Sequence, residues 1–220
     1  MAEDRQNWHI TAMKFAELLA VTVNEPVFDT GLLLVGAVCP GDVRRQLSRW
    51  AAAGKILQLR RGLYALLAPY QKVKPHPFVV ANHLMPASYV SAESALAYYG
   101  MIPEHVPLTV SVTTGRPGQR QTPLGSFDHR HVGPALFWGF EAREVAVGQQ
   151  AYVATPEKAL LDLVHLTAGG GSEEHLRGLR LQGLERLDLR RLRAFARRAG
   201  KPKLLRAAQT IEALVEEEES

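Results

Sequence analysis

DVRRQLSRWAAAGKILQLRRGLYAL, residues 42–66, sets a run of cations on a helical pattern and follows it with an alternating, glycine-punctuated one. Taken as a helix from about Pro40 to Ala53, the stretch places Val43, Leu47 and Trp50 at i, i+4 and i+7, one apolar stripe for a core. At about 100° per residue, Arg44, Arg45, Ser48 and Arg49 fall on the opposite side. Gly54 ends the helix. In KILQLRRGLYAL, Leu57 and Leu59 alternate with Gln58 and Arg60, a turn falls near Arg61 and Gly62, and the chain returns through Tyr64. Upstream, MKFAELLA is an amphipathic helix and FDTGLLLVG a short second one. Three helices and then a basic hairpin is the order of a winged helix-turn-helix.

The side chains suit a nucleic-acid surface. A helix in the major groove needs Arg for bidentate contact with guanine and Ser for adaptable hydrogen bonds, and a wing needs cations to hold phosphates. Arg44, Arg45, Ser48 and Arg49 are the expected readers, with Lys55, Arg60 and Arg61 as positioning contacts. A solvated cationic face on a small helical domain is the plainer reading. Against it, helix face, hairpin turn and a local lack of acids coincide. Net charge is only +4, with a pI near 9.3. Yet Pro40 to Pro75 holds eight Lys or Arg against the single acid Asp42. A second block, Arg177 to Arg206, holds eleven against Glu185 and Asp188, before the acidic end Glu216–Glu219. Two such surfaces point to a polyanionic partner.

The remaining composition bounds the class. The chain has 220 residues and 46% hydrophobic content, enough for one large or two to three small domains. No apolar run reaches the roughly 18 residues a membrane span needs, and MAEDRQNWHI lacks the layout of a secretory signal. A soluble, cytoplasmic protein with no membrane partner is expected. Cys39 stands alone, so this chain builds no internal disulfide or cysteine metal cluster.

The expected architecture is α+β: an N-terminal winged helix-turn-helix at 1–70, a linker at 71–77, a mixed α/β domain at 78–166 and a C-terminal helical subdomain at 173–220. The Pro-rich PYQKVKPHP (69–77) reads as extended chain. Beyond it, Ser91 caps AESALAYY before Gly100, and Thr155 caps PEKALLDLVHL with Pro156 at the first helical position. Strand-like runs LTVSVTT, SFDHRHV and LFWGFEAREVAV lie between them. The loop TAGGGS (167–172) marks a boundary. In the tail, DLRRLRAFARRAG is capped by Asp188 and stopped by Gly200, flanked by EEHLRGLRLQGLERL and PKLLRAAQTIEALVEEEE. Leu176, Leu179, Leu181, Leu184, Leu187 and Leu189 echo a leucine-rich repeat, but barely one unit is present where about three are needed.

GKILQLRRGLYALLAPY, SYVSAESALAYYGMIPEHVP, SVTTGRPGQ and AYVATPEKALLDLVHL, in that order, resemble the AbiEi family of antitoxins from bacterial type IV toxin-antitoxin systems. The likeness covers about 11–166, and LRLQGLERLDLRRLRAFARRAG resembles that family's C-terminal helices. The resemblance implies a winged helix-turn-helix that binds double-stranded DNA at the protein's own promoter and represses its operon. It implies antitoxin activity in the C-terminal part, and an AbiEii-like nucleotidyltransferase toxin as functional partner. It implies no cofactor and no enzymatic activity. Arg190, Arg193 and Arg197 are the expected surface for an anionic target of antitoxicity or for further phosphate contacts.

Enzymatic readings compete. In DHRH, His129 and His131 would share a strand face as two metal ligands, but no third ligand is identifiable. Glu157 and Lys158 resemble fragments of a nuclease motif, though TPEKALLD reads better as a capped helix start with Glu at the positive dipole end. TTGRPGQRQ (113–121) offers Gly115, Gly118, Arg116 and Arg120 for a phosphate, yet lacks a P-loop ending. Phe137, Trp138 and Phe140 would stack bases or, as the surrounding aliphatics favour, pack a core. The alternative function is thus a nucleic-acid-processing enzyme with a winged-helix substrate-binding domain, and no catalytic pair or triad assembles to support it.

Overall fold

The computed structural model describes residues 13–34, 39–103 and 107–218. The stretch 1–10, read above as lacking the layout of a secretory signal, and the last acid, Glu219, lie outside these residues. The chain is α+β and divides after Pro75 into two compact units.

In the first unit, α1 (Phe15–Thr22) is followed by β1 (Phe28–Asp29), a 3-10 turn (Thr30–Leu33), α2 (Pro40–Ala52), β2 (Ile56–Arg60) and β3 (Leu63–Leu66). The three strands form an antiparallel sheet in the order β1-β3-β2. Pro40 at the first position starts α2 without a hydrogen-bond penalty. Its end is a Schellman turn: Gly54 has φ +67°, Lys55 N donates to Trp50 O (2.9 Å) and Gly54 N to Ala51 O (3.0 Å). Leu18, Phe28, Leu33, Val43, Leu47, Trp50, Ile56, Tyr64 and Leu66 form one core.

FDTGLLLVG departs from expectation. Phe28 and Asp29 pair with Tyr64 and Leu63, and Thr30 N donates to Gly62 O at 2.8 Å. Its backbone groups therefore bond across the sheet, and only one tight 3-10 turn follows. Residues 35 and 36 of that stretch lie outside the described ones.

The second unit contains α3 (Pro77–Leu84), β4 (Ser88–Val90), α4 (Ala92–Tyr98), β5 (Leu108–Thr113), β6 (Gly118–Thr122), β7 (Gly125–His131), β8 (Phe140–Ala146), β9 (Gln149–Ala154), α5 (Pro156–Leu166), α6 (Glu173–Gly178), α7 (Leu189–Ala199) and α8 (Pro202–Glu218). The sheet order is β6-β7-β5-β4-β9-β8, with β5/β7 and β4/β9 parallel and the other pairs antiparallel. Pro77, expected in a linker, instead occupies the first turn of α3, and the His76 side chain accepts from Phe78 N (3.2 Å).

Capping follows local signals. Thr155 accepts from Lys158 N at α5, and Asp188 accepts from Arg191 N (3.0 Å) at α7, which Gly200 closes at φ +64°. Ser91 precedes α4 but makes no capping bond, because its hydroxyl donates to Asp162 on α5 (2.7 Å). The tail helices belong to the same unit as the sheet. Trp138 meets Phe195 of α7 edge to face at 4.8 Å, and Leu192, Ala196, Ala207 and Ile211 are fully buried. Within the loop at 167–172, Gly170 and Gly171 are closely packed: a Cβ on Gly170 would stand 2.9 Å from Val164 O and one on Gly171 2.8 Å from the Lys203 stem. Among the described residues no helix is long and apolar enough to cross a membrane.

Candidate nucleic-acid interface

The phase of α2 decides what the first unit presents. Val43, Leu47 and Trp50 are 3%, 0% and 9% exposed, so the opposite face, with Arg44, Arg45, Ser48 and Arg49, is open to solvent. Arg45 is held by Asp42 one turn back. Among the described residues, Arg44 and Arg49 have no acidic partner, and their guanidinium groups keep all their donors available.

The hairpin cations divide into two kinds. Lys55 lies with Nζ 4.6 Å from the centroid of the Phe15 ring, a cation–π contact that also covers the core. Arg60 is half-buried, 3.5 Å from the Asp29 carboxylate, and donates to Arg61 O at 3.1 Å. Arg61 itself is exposed at the turn, before Gly62 with φ +84°. The left-handed glycine makes that turn tight. Arg44, Ser48, Arg49 and Arg61 are thus the presented groups, and Lys55 and Arg60 also build the unit. Gln58, not singled out from sequence, is exposed on β2 and donates to Tyr64 Oη at 3.4 Å. Strict alternation put Leu57 with Leu59 on the buried side, but Ile56 and Leu59 are the buried pair, because the register with β3 shifts between Gln58 and Arg60.

The tail cations are largely engaged within the second unit. Arg193, on the same α7 face as Arg190 and Arg197, is bonded to Glu212 at 2.6 Å. Arg177 bonds Glu173 and, through two donors, Glu217. Arg186 donates to Tyr99 O (2.7 Å), Arg198 lies 4.6 Å over Trp138, and Lys203 donates to Thr167 O (2.7 Å). Arg190 and Arg197 are exposed with no acidic partner among the described residues.

A polar cluster that sequence reading missed lies inside the second unit. Lys158 and Asp162, both 2% exposed, form an ion pair one turn apart on α5. Asp162 also accepts from Tyr89 (2.9 Å) and Ser91 (2.7 Å), and Lys158 lies over the Tyr89 and Trp138 rings. Gly139 lets the backbone reach the Lys158 stem, since a Cβ there would stand 3.0 Å from it. Burial lowers the Lys158 pKa, with Asp162 opposing, and raises that of the Tyr89 hydroxyl, which stays a donor. Glu157, 1% exposed, accepts from Asp188 N at 3.0 Å and so ties α5 to the start of α7. Both residues of the nuclease-like fragment are therefore enclosed by protein. The signal was a Lys and an Asp at i, i+4 in the middle of a helix whose other residues between Ala159 and Val164 are all apolar.

The histidines also separate. His129, 3% exposed, faces Ala81 O at 3.0 Å, and burial lowers its pKa; His131 is exposed at the end of β7, 2.9 Å from Gly115 O. Among the described residues no group of three or more His, Cys, Asp or Glu is placed to hold a metal. The segment after Thr113 turns directly into β6, with Arg116 and Arg120 exposed. Phe137 and Phe140 pack on Tyr89 at 5.3 and 4.4 Å.

No family model matches the chain, and no curated protein matches it. Among solved structures, the crystal structure of the Rv2827c protein from Mycobacterium tuberculosis aligns with a TM-score of 0.48 and 15% identity, over 90% of this chain and 79% of that one. So distant a likeness bears on neither fold nor function.

Proposed function

We propose that the first unit is a winged helix-turn-helix that binds double-stranded DNA, and that the protein is an AbiEi-like antitoxin repressing its own operon. The observation that carries the DNA-binding reading is the α2 face: three buried apolar side chains set its phase, and Arg44, Ser48 and Arg49 stand open opposite them. In this reading α2 enters the major groove, where arginine discriminates guanine by about 1–3 kcal/mol per bidentate pair. Arg61 on the hairpin turn holds phosphate, and Arg60 orients that turn through Asp29.

Antitoxicity rests on the resemblance of the central motifs and is assigned to the second unit, with a nucleotidyltransferase toxin as functional partner. Arg190 and Arg197 are the tail groups available to an anionic target, and Arg193 joins them only when released from Glu212. The nuclease-like alternative is weakened by the enclosure of Glu157 and Lys158.

A paired cellular assay tests both halves. A reporter driven by the DNA upstream of the gene reads repression, and growth rescue during expression of a nucleotidyltransferase encoded alongside reads antitoxicity. The expected result is repression that Arg44→Ala with Arg49→Ala abolishes, and rescue that this variant retains. Absence of repression by the wild type refutes the regulatory half, and absence of rescue refutes the antitoxin half.

A further inference from the structure

The two outer strands of the second unit's sheet carry different charge patterns. At one end β6 reads GQRQT, in a segment from Pro107 to Phe127 that contains no Asp or Glu. Pairing β6 with the β6 of another copy about its centre would oppose Arg120 to Arg120, and like charges directly across weaken a sheet. At the other end β8 reads FEAREVA. Glu141, Ala142, Arg143 and Glu144 are exposed along it, Val147 just beyond is 95% exposed, and Tyr152, opposite Ala142 on β9, is 53% exposed.

The ladder determines which backbone groups of β8 face outward. Thr155 N donates to Gly139 O at 3.0 Å, and antiparallel pairs alternate between hydrogen-bonded and non-bonded. Glu141↔Val153 and Arg143↔Ala151 continue the bonded set, so the N–H and C=O groups of Phe140, Ala142 and Glu144 point off the sheet. A second β8, antiparallel about a two-fold at Ala142, exchanges both Ala142 bonds with its mate. That register sets Glu141 opposite Arg143 of the other copy, twice, in non-bonded pairs where side chains approach most closely. Within one chain Arg143 bonds Glu141 at 2.5 Å and also lies beside Tyr99, so pairing exchanges one Glu141 for the Glu141 of the other copy. Charges commonly protect an edge by repelling a neighbour, but this order attracts a copy of itself.

We infer that β8 is a self-pairing edge through which two copies of the chain form a two-fold dimer with reciprocal Glu141–Arg143 pairs. The inference concerns assembly and is independent of what the first unit binds. Sedimentation equilibrium of the full chain without DNA tests it. The wild type shows a concentration-dependent dimer. Arg143→Glu replaces two attractive pairs by two repulsive ones and weakens association roughly tenfold or more. The swap Glu141→Arg with Arg143→Glu restores dimerisation, because the exchanged pattern again complements itself. Both side chains are nearly half exposed, so at concentrations low enough for the wild type to be monomeric the variants melt as it does. A wild type that is monomeric at every soluble concentration, a dimer indifferent to Arg143→Glu, or a swap that fails to recover association overturns the inference.

Discussion

Trp50 lies against Phe15 with ring centroids 5.3 Å apart and is 9% exposed, so its truncation removes the largest side chain on the buried side of α2. Trp50→Ala is expected to cost the first unit about 3–5 kcal/mol, read by denaturant unfolding. An unchanged midpoint would place the indole outside the core. His129 makes a second prediction in the second unit. Burial lowers its pKa below the ordinary histidine value, so the unfolded chain takes up the proton more readily. Stability is therefore present above the unfolded pKa of about 6.5 and lost as pH falls through the folded value, at up to about 1.4 kcal/mol per pH unit for one group. His76 and His165 shift the same way through burial and add to the slope. Unfolding between pH 7 and pH 5 should show a shallower decline in His129→Gln than in the wild type. Equal slopes would remove His129 from the acid response.

At the scale of elements, α2 and its hairpin separate cations by what else they do. Arg60 is bonded to Asp29 and Arg61 is not, so Arg61→Ala should lower the salt slope of DNA binding by about one unit, and Arg60→Ala by less. Arg60→Ala should instead lower the unfolding midpoint slightly, because it removes the pairing with Asp29 and the bond to the Arg61 carbonyl. A larger slope change for Arg60→Ala would reverse the assignment. The elements legible in the sequence were those with local punctuation: α2 between Pro40 and Gly54, the hairpin at Arg61-Gly62, α5 after Thr155, and α7 between Asp188 and Gly200. FDTGLLLVG misled because its outcome depends on Tyr64 and Leu63, over thirty residues away. PFVVANHL was hidden by prolines that also suit a helix start. On the α2 face, exposure was legible from periodicity. The engagement of Lys55 with Phe15 and of Arg60 with Asp29 was not, because both partners are remote in sequence.

At the scale of the whole molecule, the tail helices pack on α5 and on Trp138, just before β8, within the second unit. Phe195 packs on Trp138, Glu157 holds the start of α7, and Ile211 and Val215 of α8 are buried. A chain ending at Ser172 is expected to lose cooperative unfolding of the second unit and to expose apolar surface, while the first unit melts as before. Circular dichroism melts with a hydrophobic dye read this, and an unchanged second transition would show that the tail is dispensable. Antitoxicity tests by tail deletion therefore confound activity with folding, and point substitutions at Arg190 and Arg197 do not.

The central claim is that the α2 face reads DNA. Fluorescence-anisotropy titration of the full chain against its own upstream DNA and a scrambled duplex of equal length tests it directly. The wild type should prefer its own DNA at physiological salt by about 10³ or more. Arg44→Ala with Arg49→Ala should lose about 1–3 kcal/mol of that preference per contact, with an unaltered unfolding curve. Equal affinity for both duplexes, or a preference the double variant retains in full, would contradict the account.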